Sequence, residues 1–335
     1  MERQILTTTV GSYPIPEWLP QPYTTQALHD AMMMMFHLQE LAGLELVTTG
    51  EFRRFDANHP ATNGMIDYFI RPLQNVRTVL TRGEERMFRD MPSLGFRDRP
   101  AGVVEGQLGE GTLNIVADYQ QARALTRQPL KFTVTSPYHL GMTLVDRHYK
   151  SREALVRALA DILASQVAEI DADVVQIDDE CITGHPEDGA WAAPILNHIF
   201  DAIPTKAAMH LCFGNYNGQT IQKGHWKDLV GFINALHLDH VLVEMAVRNP
   251  EELAAFKDLR AEIGLGLGVI DVKRTQVETP DQIARTLEHA VKVLGPGRIA
   301  YVHPDCGMWM VKRSIADAKL TALVKGRDLY LAAQG

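Results

Sequence analysis

Eight short apolar segments recur along the chain, and amphipathic segments separate most of them. Apolar, β-branched runs of this length predict buried strands, whereas a period of about 3.6 residues between them predicts helices. Alternating strands and helices indicate βαβ units and a parallel sheet. Eight units favour a closed (β/α)₈ TIM barrel over an open doubly wound sheet, which stays an alternative. The predicted strands are residues 5–12, 46–52, 130–137, 174–179, 207–213, 240–245, 263–271 and 299–305, and the predicted helices are 25–42, 152–170, 193–203, 250–258, 280–294 and 315–325.

The connection between the second and third predicted strands is much longer than the others. Val103, Val104 and Leu108 lie among its glycines and prolines, which suggests a β-hairpin excursion. A long structured loop on a barrel often shapes the mouth of the active site. We therefore predict one barrel over residues 1–335, with a β-hairpin-like insertion after strand 2 at about residues 75–128. Its turn-forming residues are Pro92, Gly95, Pro100, Gly102, Gly106, Gly109 and Gly111.

Charge and cysteine content narrow the class of protein. The formal net charge is −8 with no Lys/Arg-rich run, which argues against a nucleic-acid partner. Three cysteines do not make a disulfide framework and indicate a reducing compartment. No apolar stretch approaches the about 18 residues of a membrane span, and none near the start resembles a signal peptide. We expect a soluble, cytoplasmic protein that uses neither a membrane nor nucleic acid.

A candidate metal site lies at the ends of three predicted strands. His210 and Cys212 are two residues apart on one strand, so both side chains point to the same face. Cys306 follows the last strand, and Glu244 ends another. Because strand C-termini converge on one face of a barrel, these four residues can meet. Imidazole, two thiolates and a carboxylate suit Zn²⁺, although two ordinary buried cysteines are the alternative.

Acidic residues end several of the same strands. Glu51, Asp178 and Asp271 end the second, fourth and seventh predicted strands, Asp179 follows Asp178, and Ser12 ends the first. Salt bridges with rim arginines such as Arg53 and Arg54 would explain any one of these acids. Together they predict an acidic ring beside the metal, which suits a cationic group such as an α-ammonium on a small substrate.

These motifs resemble the catalytic, C-terminal half of cobalamin-independent methionine synthase. The matching segments run in the family's order from the first strand to the last, and the His-x-Cys and Pro-Asp-Cys-Gly motifs together are fairly specific. They are Thr7-Thr8-Thr9-Val10-Gly11-Ser12, Gly50-Glu51, Gln176-Ile177-Asp178, His210-Leu211-Cys212, Glu244, Gly268-Val269-Ile270-Asp271 and Pro304-Asp305-Cys306-Gly307.

The resemblance implies a zinc-dependent methyltransferase that converts homocysteine to methionine. It implies that His210, Cys212, Glu244 and Cys306 bind the zinc. It also implies that Ser12, Glu51 and Asp178 hold homocysteine, with the two carboxylates on its ammonium group. Asp271 is expected to face the methyl donor or support the site.

Three departures from the family pattern concern the donor and the thiol. The full-length enzymes have an additional N-terminal barrel that helps to bind folate, so this chain resembles the short "core" forms, which implies methylcobalamin or a methylated corrinoid protein as donor. Lys273 stands where the long enzymes have a histidine implicated in proton handling, which argues against a folate donor. Asp179-Glu180-Cys181 replaces Glu-Pro-Ala and alters the floor of the pocket. We expect Asp271 and Lys273 to be the catalytic residues.

Other functions stay open from the sequence. The same architecture transfers alkyl groups to other thiols such as coenzyme M, but Glu51 and Asp178 would repel its sulfonate. Methyltetrahydrofolate is the alternative donor. A metal-free decarboxylase-like barrel would leave the His-x-Cys motif unexplained. A non-catalytic zinc- or corrinoid-binding module would need a metal shell that never exchanges a ligand.

Overall fold

The computed structural model describes residues 5–19, 23–54, 64–90, 97, 99–215 and 218–334. Eleven strands and ten α-helices alternate along these residues. The strands are β1 (Leu6–Thr7), β2 (Val47–Thr48), β3 (Gln74–Arg77), β4 (Gly102–Gly109), β5 (Leu130–Thr135), β6 (Leu144–Asp146), β7 (Val174–Asp179), β8 (Lys206–Leu211), β9 (His240–Val243), β10 (Gly264–Ile270) and β11 (Ile299–Pro304). The helices are α1 (Thr25–Ala42), α2 (Gly64–Ile70), α3 (Arg82–Arg89), α4 (Ile115–Arg123), α5 (Pro137–Met142), α6 (Arg152–Val167), α7 (Gly189–Phe200), α8 (Val230–Asn234), α9 (Pro280–Leu294) and α10 (Arg313–Ala332).

Eight strands form one curled parallel sheet in the order β1-β11-β10-β9-β8-β7-β5-β2. Two isolated parallel bridges connect the residues that follow β1 with the residues that flank β2. Thr8 pairs with Leu46, which precedes β2, and Ser12 pairs with Gly50, which follows it. These bridges join the two edges of the sheet. The predicted (β/α)₈ barrel is therefore confirmed, and each of its eight strands lies within or overlaps a predicted strand.

The insertion after β2 differs in detail from the predicted hairpin. Its strands β3 and β4 are antiparallel, but α3 separates them, so no tight turn joins them. Thr81 begins α3 with a capping box, in which its side chain and that of Glu84 exchange hydrogen bonds with backbone N–H groups. β6 adds a third strand, parallel to β4. Pro92 and Gly95 of the predicted excursion lie outside the described residues.

Local signals set the helix boundaries around the barrel. Thr24 caps α1 by accepting from the N–H of Ala27, and Gly43 ends the helix with φ 86°, a conformation that favours glycine. The predicted helix at residues 250–258 is instead a 3₁₀ helix, Pro250–Asp258. In the described part of the chain, no helix is long and apolar enough to cross a membrane.

Candidate metal centre and substrate cavity

A cavity opens at the carboxyl ends of the barrel strands, where the sequence predicts the site. It encloses about 600 Å³, including the part open to solvent. Six of the nine predicted site residues line it, and seven further residues complete its wall. The lining residues are Val10, Ser12, Glu51, Met65, Asp178, Asp179, Glu180, His210, Cys212, Asn215, Cys306, Gly307 and Trp309.

Three of the predicted metal ligands meet in this cavity. The ligand atoms of His210, Cys212 and Cys306 all lie within 4.8 Å of one another. Cys212 Sγ is 3.8 Å from Cys306 Sγ, although the two residues are 94 positions apart in the sequence. The hydrogen bond with Cys306, together with burial, raises the pKa of the Cys212 thiol. A cation at this position would favour the thiolate instead.

Asp178 and the backbone fix the orientation of the His210 ring. His210 Nδ1 lies 3.4 Å from Asp178 Oδ1, and Nε2 lies 3.2 Å from the carbonyl oxygen of Asp305. Burial is the largest single effect and opposes a charged imidazole, but Asp178, Cys306 and the Asp305 carbonyl together outweigh it and raise the pKa of His210 to about 9. A carboxylate on one ring nitrogen is the usual support for a histidine that binds metal through the other.

Glu244, the fourth predicted ligand, lies beside this cluster and is not among the three residues that meet. Its carboxylate is fully buried, and Oε2 accepts from Lys273 Nζ at 3.2 Å and from the N–H of Phe213 at 3.4 Å. Its Oε1 is buried with no hydrogen-bond partner among the described residues. A buried carboxylate oxygen without a partner is costly.

The residues present fit a zinc ion. Two thiols and an imidazole are the donors that zinc prefers, and their spacing allows one ion to contact all three. The buried Oε1 of Glu244 would gain the partner that it lacks. The loop behind the site is also fixed, since Asp305 accepts backbone N–H bonds from Met245, Ala246 and Val247.

Glu51 and Ser12 form another part of the cavity wall, where Ser12 lies beside Gly307, the residue after Cys306. Glu51 has a positive φ of 58°, and its carboxylate accepts from Thr133 Oγ1 and lies 3.5 Å from Arg54 Nη1. Burial raises the pKa of Glu51, and Arg54 only partly offsets this effect. Gly11 and Gly307 leave no room for a Cβ, which would collide with Glu51 and Ser12 respectively. The salt bridge expected for Arg54 at the barrel rim is therefore present with Glu51, but it lies inside the cavity wall.

Several residues of the site were missed by sequence reasoning. Lys131 lies fully buried in β5, donates to the carbonyl oxygen of Thr9, and has its pKa lowered by burial to about 7 while Asp178 and Glu51 oppose the shift. A lysine inside a predicted buried strand was the signal that could have revealed it. Trp309 also lines the cavity, and no motif marked it, whereas Glu180 belongs to the segment expected at the floor of the pocket.

The two predicted catalytic residues lie outside this cavity. Lys273 donates to Glu244 at 3.2 Å and to Thr220 Oγ1 at 2.7 Å. Asp271 accepts from the N–H of Lys273 and lies 3.5 Å from Arg274. It lines a separate groove between the 3₁₀ helix and α9.

The fold and the cavity define a (β/α)₈ protein with candidate zinc ligands and two buried carboxylates at the carboxyl ends of its strands. The family model described as the catalytic domain of cobalamin-independent synthase matches residues 5–327, so the chain belongs to this family. It is similar to proteins named methionine synthase from Sulfurisphaera tokodaii, with 28% identity over 96% of this chain and 91% of the relative, and from Thermococcus kodakarensis, with 26% identity over 98% and 94%.

Solved structures support the fold. The structure described as a B12-independent methionine synthase from Shewanella sp. W3-18-1 in complex with selenomethionine superposes with a TM-score of 0.80, at 24% identity over 99% of both chains. A putative vitamin-B12 independent methionine synthase from Listeria monocytogenes superposes with a TM-score of 0.69, at 16% identity over 98% of both chains. The family description gives no support to methylcobalamin as donor, so that expectation from the sequence is withdrawn.

Proposed function

We propose that this protein is a methyltransferase that forms methionine by transferring a methyl group to the sulfur of homocysteine. The observation that carries this proposal is the single cavity that contains His210, Cys212 and Cys306 together with Glu51 and Asp178. The relatives named methionine synthase, matched over 91% and 94% of their length, support the same reaction.

In this proposal His210, Cys212, Cys306 and Glu244 hold a zinc ion. Bound zinc would keep the substrate sulfur as a thiolate at neutral pH, where a free thiol with a pKa of about 8.5 is mostly protonated. The protein's own contribution is rigidity: Asp178 orients the His210 ring, and Asp305 anchors the loop that follows Glu244. Lys273 neutralises part of the charge of Glu244 from outside the cavity.

Glu51 and Asp178 would bind the α-ammonium group of homocysteine, with Ser12 beside them. The acidic wall opposes a sulfonate or phosphate, which disfavours coenzyme M as the thiol. Lys131 beneath the two carboxylates limits their mutual repulsion, because both act to keep its ammonium charged. Holding the thiol in one orientation toward the donor would supply much of the rate.

The first experiment measures methionine formation by zinc-loaded protein with homocysteine, with methyltetrahydrofolate and methylcobalamin offered in parallel. The matched variant is Cys306→Ser, which removes one ligand and conserves size. Methionine formed by the wild type and lost with the bound zinc in the variant is the expected result, and the active donor is identified in the same assay. A variant that keeps both its zinc and its turnover would refute the ligand assignment. If neither donor gives methionine, the proposed reaction is refuted.

A further inference from the structure

A second cluster of metal-ligating side chains lies in the interior, and the function proposed above does not use it. It consists of His139 in α5, Asp179 at the end of β7 and Cys181 two residues later. All three residues are at most 1% exposed. Their ligand atoms lie within 4.8 Å of one another, as do those of the centre formed by His210, Cys212 and Cys306.

The two oxygens of Asp179 have different surroundings. Oδ1 accepts from the N–H groups of Cys181 at 2.7 Å and of Ile182 at 2.9 Å, which fixes the carboxylate in the turn after β7. Oδ2 is buried, and hydrogen bonds from Ser136 and the backbone of His139 also act on this carboxylate and lower its pKa against the effect of burial. Carboxylates that bind metals are usually held in place by such hydrogen bonds from neighbouring groups.

Glu180 supplies a fourth donor next to the cluster, a carboxylate oxygen. Its Oε1 lies 3.8 Å from His139 Nε2, and its side chain is 17% exposed at the cavity wall. Imidazole, thiolate and two carboxylates are all zinc donors. Because Glu180 lines the substrate cavity, it also gives the interior cluster a route to solvent.

Burial favours the neutral forms of the thiol and the imidazole in this cluster. Burial raises the pKa of Asp179 to about 6 and that of Cys181 above its ordinary value, and burial lowers the pKa of His139 to about 3. The charged groups that face them are Arg97, Arg152 and Glu180. A divalent cation at the centre would favour the deprotonated carboxylate and thiolate and the neutral imidazole, and binding would release the thiol proton.

We propose that His139, Asp179 and Cys181 form a second, structural site for a divalent metal of the zinc class, with Glu180 as the fourth donor. No ligand is shared with the centre at His210. The site would tie α5 to the end of β7, and so hold Asp178 and Glu180, which line the cavity. This inference does not depend on the proposed methyl transfer.

The cysteine content allows a direct test, because the chain contains only three cysteines. In the double variant Cys212→Ser/Cys306→Ser, Cys181 is the one remaining thiol. When this variant is produced with Co²⁺ as the supplied metal, a thiolate-to-cobalt charge-transfer band is expected and can arise only from Cys181. Elemental analysis of zinc-loaded protein is expected to give about two equivalents in the wild type and one in the double variant.

The matched variant is Cys181→Ser in the otherwise intact chain, which should reduce the zinc content from two equivalents to one. Circular dichroism and a thermal unfolding curve establish that each variant is folded. If Cys181→Ser does not fold, His139→Gln replaces it, and the wild-type stoichiometry and the cobalt spectrum of the double variant still decide. One equivalent in the folded wild type, or a double variant without a charge-transfer band, would overturn the second site. Both results are independent of whether methionine is formed.

Discussion

At the scale of single residues, the two carboxylates expected to bind the substrate ammonium differ in what they touch. Asp178 lies 3.4 Å from His210 Nδ1, whereas the partners of Glu51 are Thr133 and Arg54. The two residues can therefore be separated by experiment, since only one supports a metal ligand.

Replacing Glu51 by Gln should weaken homocysteine binding at least about tenfold, which corresponds to one lost charge-assisted contact, while zinc affinity stays near that of the wild type. Asp178→Asn should weaken both, because the loss of a carboxylate behind a metal-binding histidine typically reduces metal affinity about 10–100-fold. Isothermal titration with homocysteine and chelator competition for zinc measure the two affinities. Equal losses of zinc affinity in both variants would contradict this division of roles.

Lys131 predicts a pH dependence of stability. Its pKa is about 7 in the folded protein against an ordinary value of 10.5, so between these pH values the unfolded chain binds a proton that the folded protein does not. The stability of the wild type should therefore rise with pH across this window, by up to about 5 kcal/mol from this group, relative to Lys131→Met. Urea unfolding of both proteins from pH 6 to pH 10 measures the difference. Parallel curves for the two proteins would exclude a lysine with a lowered pKa.

At the scale of elements, buried strands were the most predictable part of the molecule. The predicted strand at residues 174–179 agrees with β7 to the residue, and the predicted helices 25–42 and 280–294 agree with α1 and α9. Their caps and periodicity are local, so the sequence is sufficient. β1 is short because the residues after Thr7 make only isolated bridges before they enter the cavity wall, and such tertiary constraints are not visible in local patterns.

The candidate site was predictable where alternation along a strand or the convergence of strand ends determines the geometry. His210 and Cys212 follow from alternation in β8, and Cys306 follows from convergence of strand ends. The position of Glu244 against Lys273, and the separate groove beside Asp271, depend on how loops fold over the barrel. No periodicity describes such loops, which explains why these side chains could not be located from the sequence.

The cap of α9 provides a test at this scale. Thr279 accepts from the N–H of Gln282, whose side chain bonds back to the N–H of Thr279. Thr279→Ala should therefore destabilise the protein by about 1 kcal/mol. Thr286→Ala in the exposed interior of the same helix is the matched control, where alanine's better helix propensity should make the change small. Chemical denaturation measures both, and a loss in the control as large as in Thr279→Ala would show that capping is not the cause.

At the scale of the whole molecule, the two candidate cysteine ligands follow strands that are neighbours in neither sequence nor sheet. Three steps of the sheet order separate β8 from β11, yet the sulfur atoms of the cysteines that follow these strands approach to 3.8 Å at the barrel mouth. An ion bound by both cysteines would bind only to the folded barrel, because the unfolded chain does not hold Cys212 and Cys306 together. Binding should therefore stabilise the barrel as a unit.

Zinc at a hundredfold excess over its Kd should stabilise the folded protein by about 2.7 kcal/mol per site, seen as a higher midpoint of thermal unfolding. In Cys306→Ser the contribution of the centre between β8 and β11 should disappear, whereas Glu51→Gln, which leaves every proposed ligand in place, should keep it. Differential scanning calorimetry of the three proteins with zinc and with chelator measures the shifts. The same zinc-induced shift in Cys306→Ser as in the wild type would mean that the ion binds elsewhere, since a ligand stabilises the barrel only in proportion to its preference for the closed form.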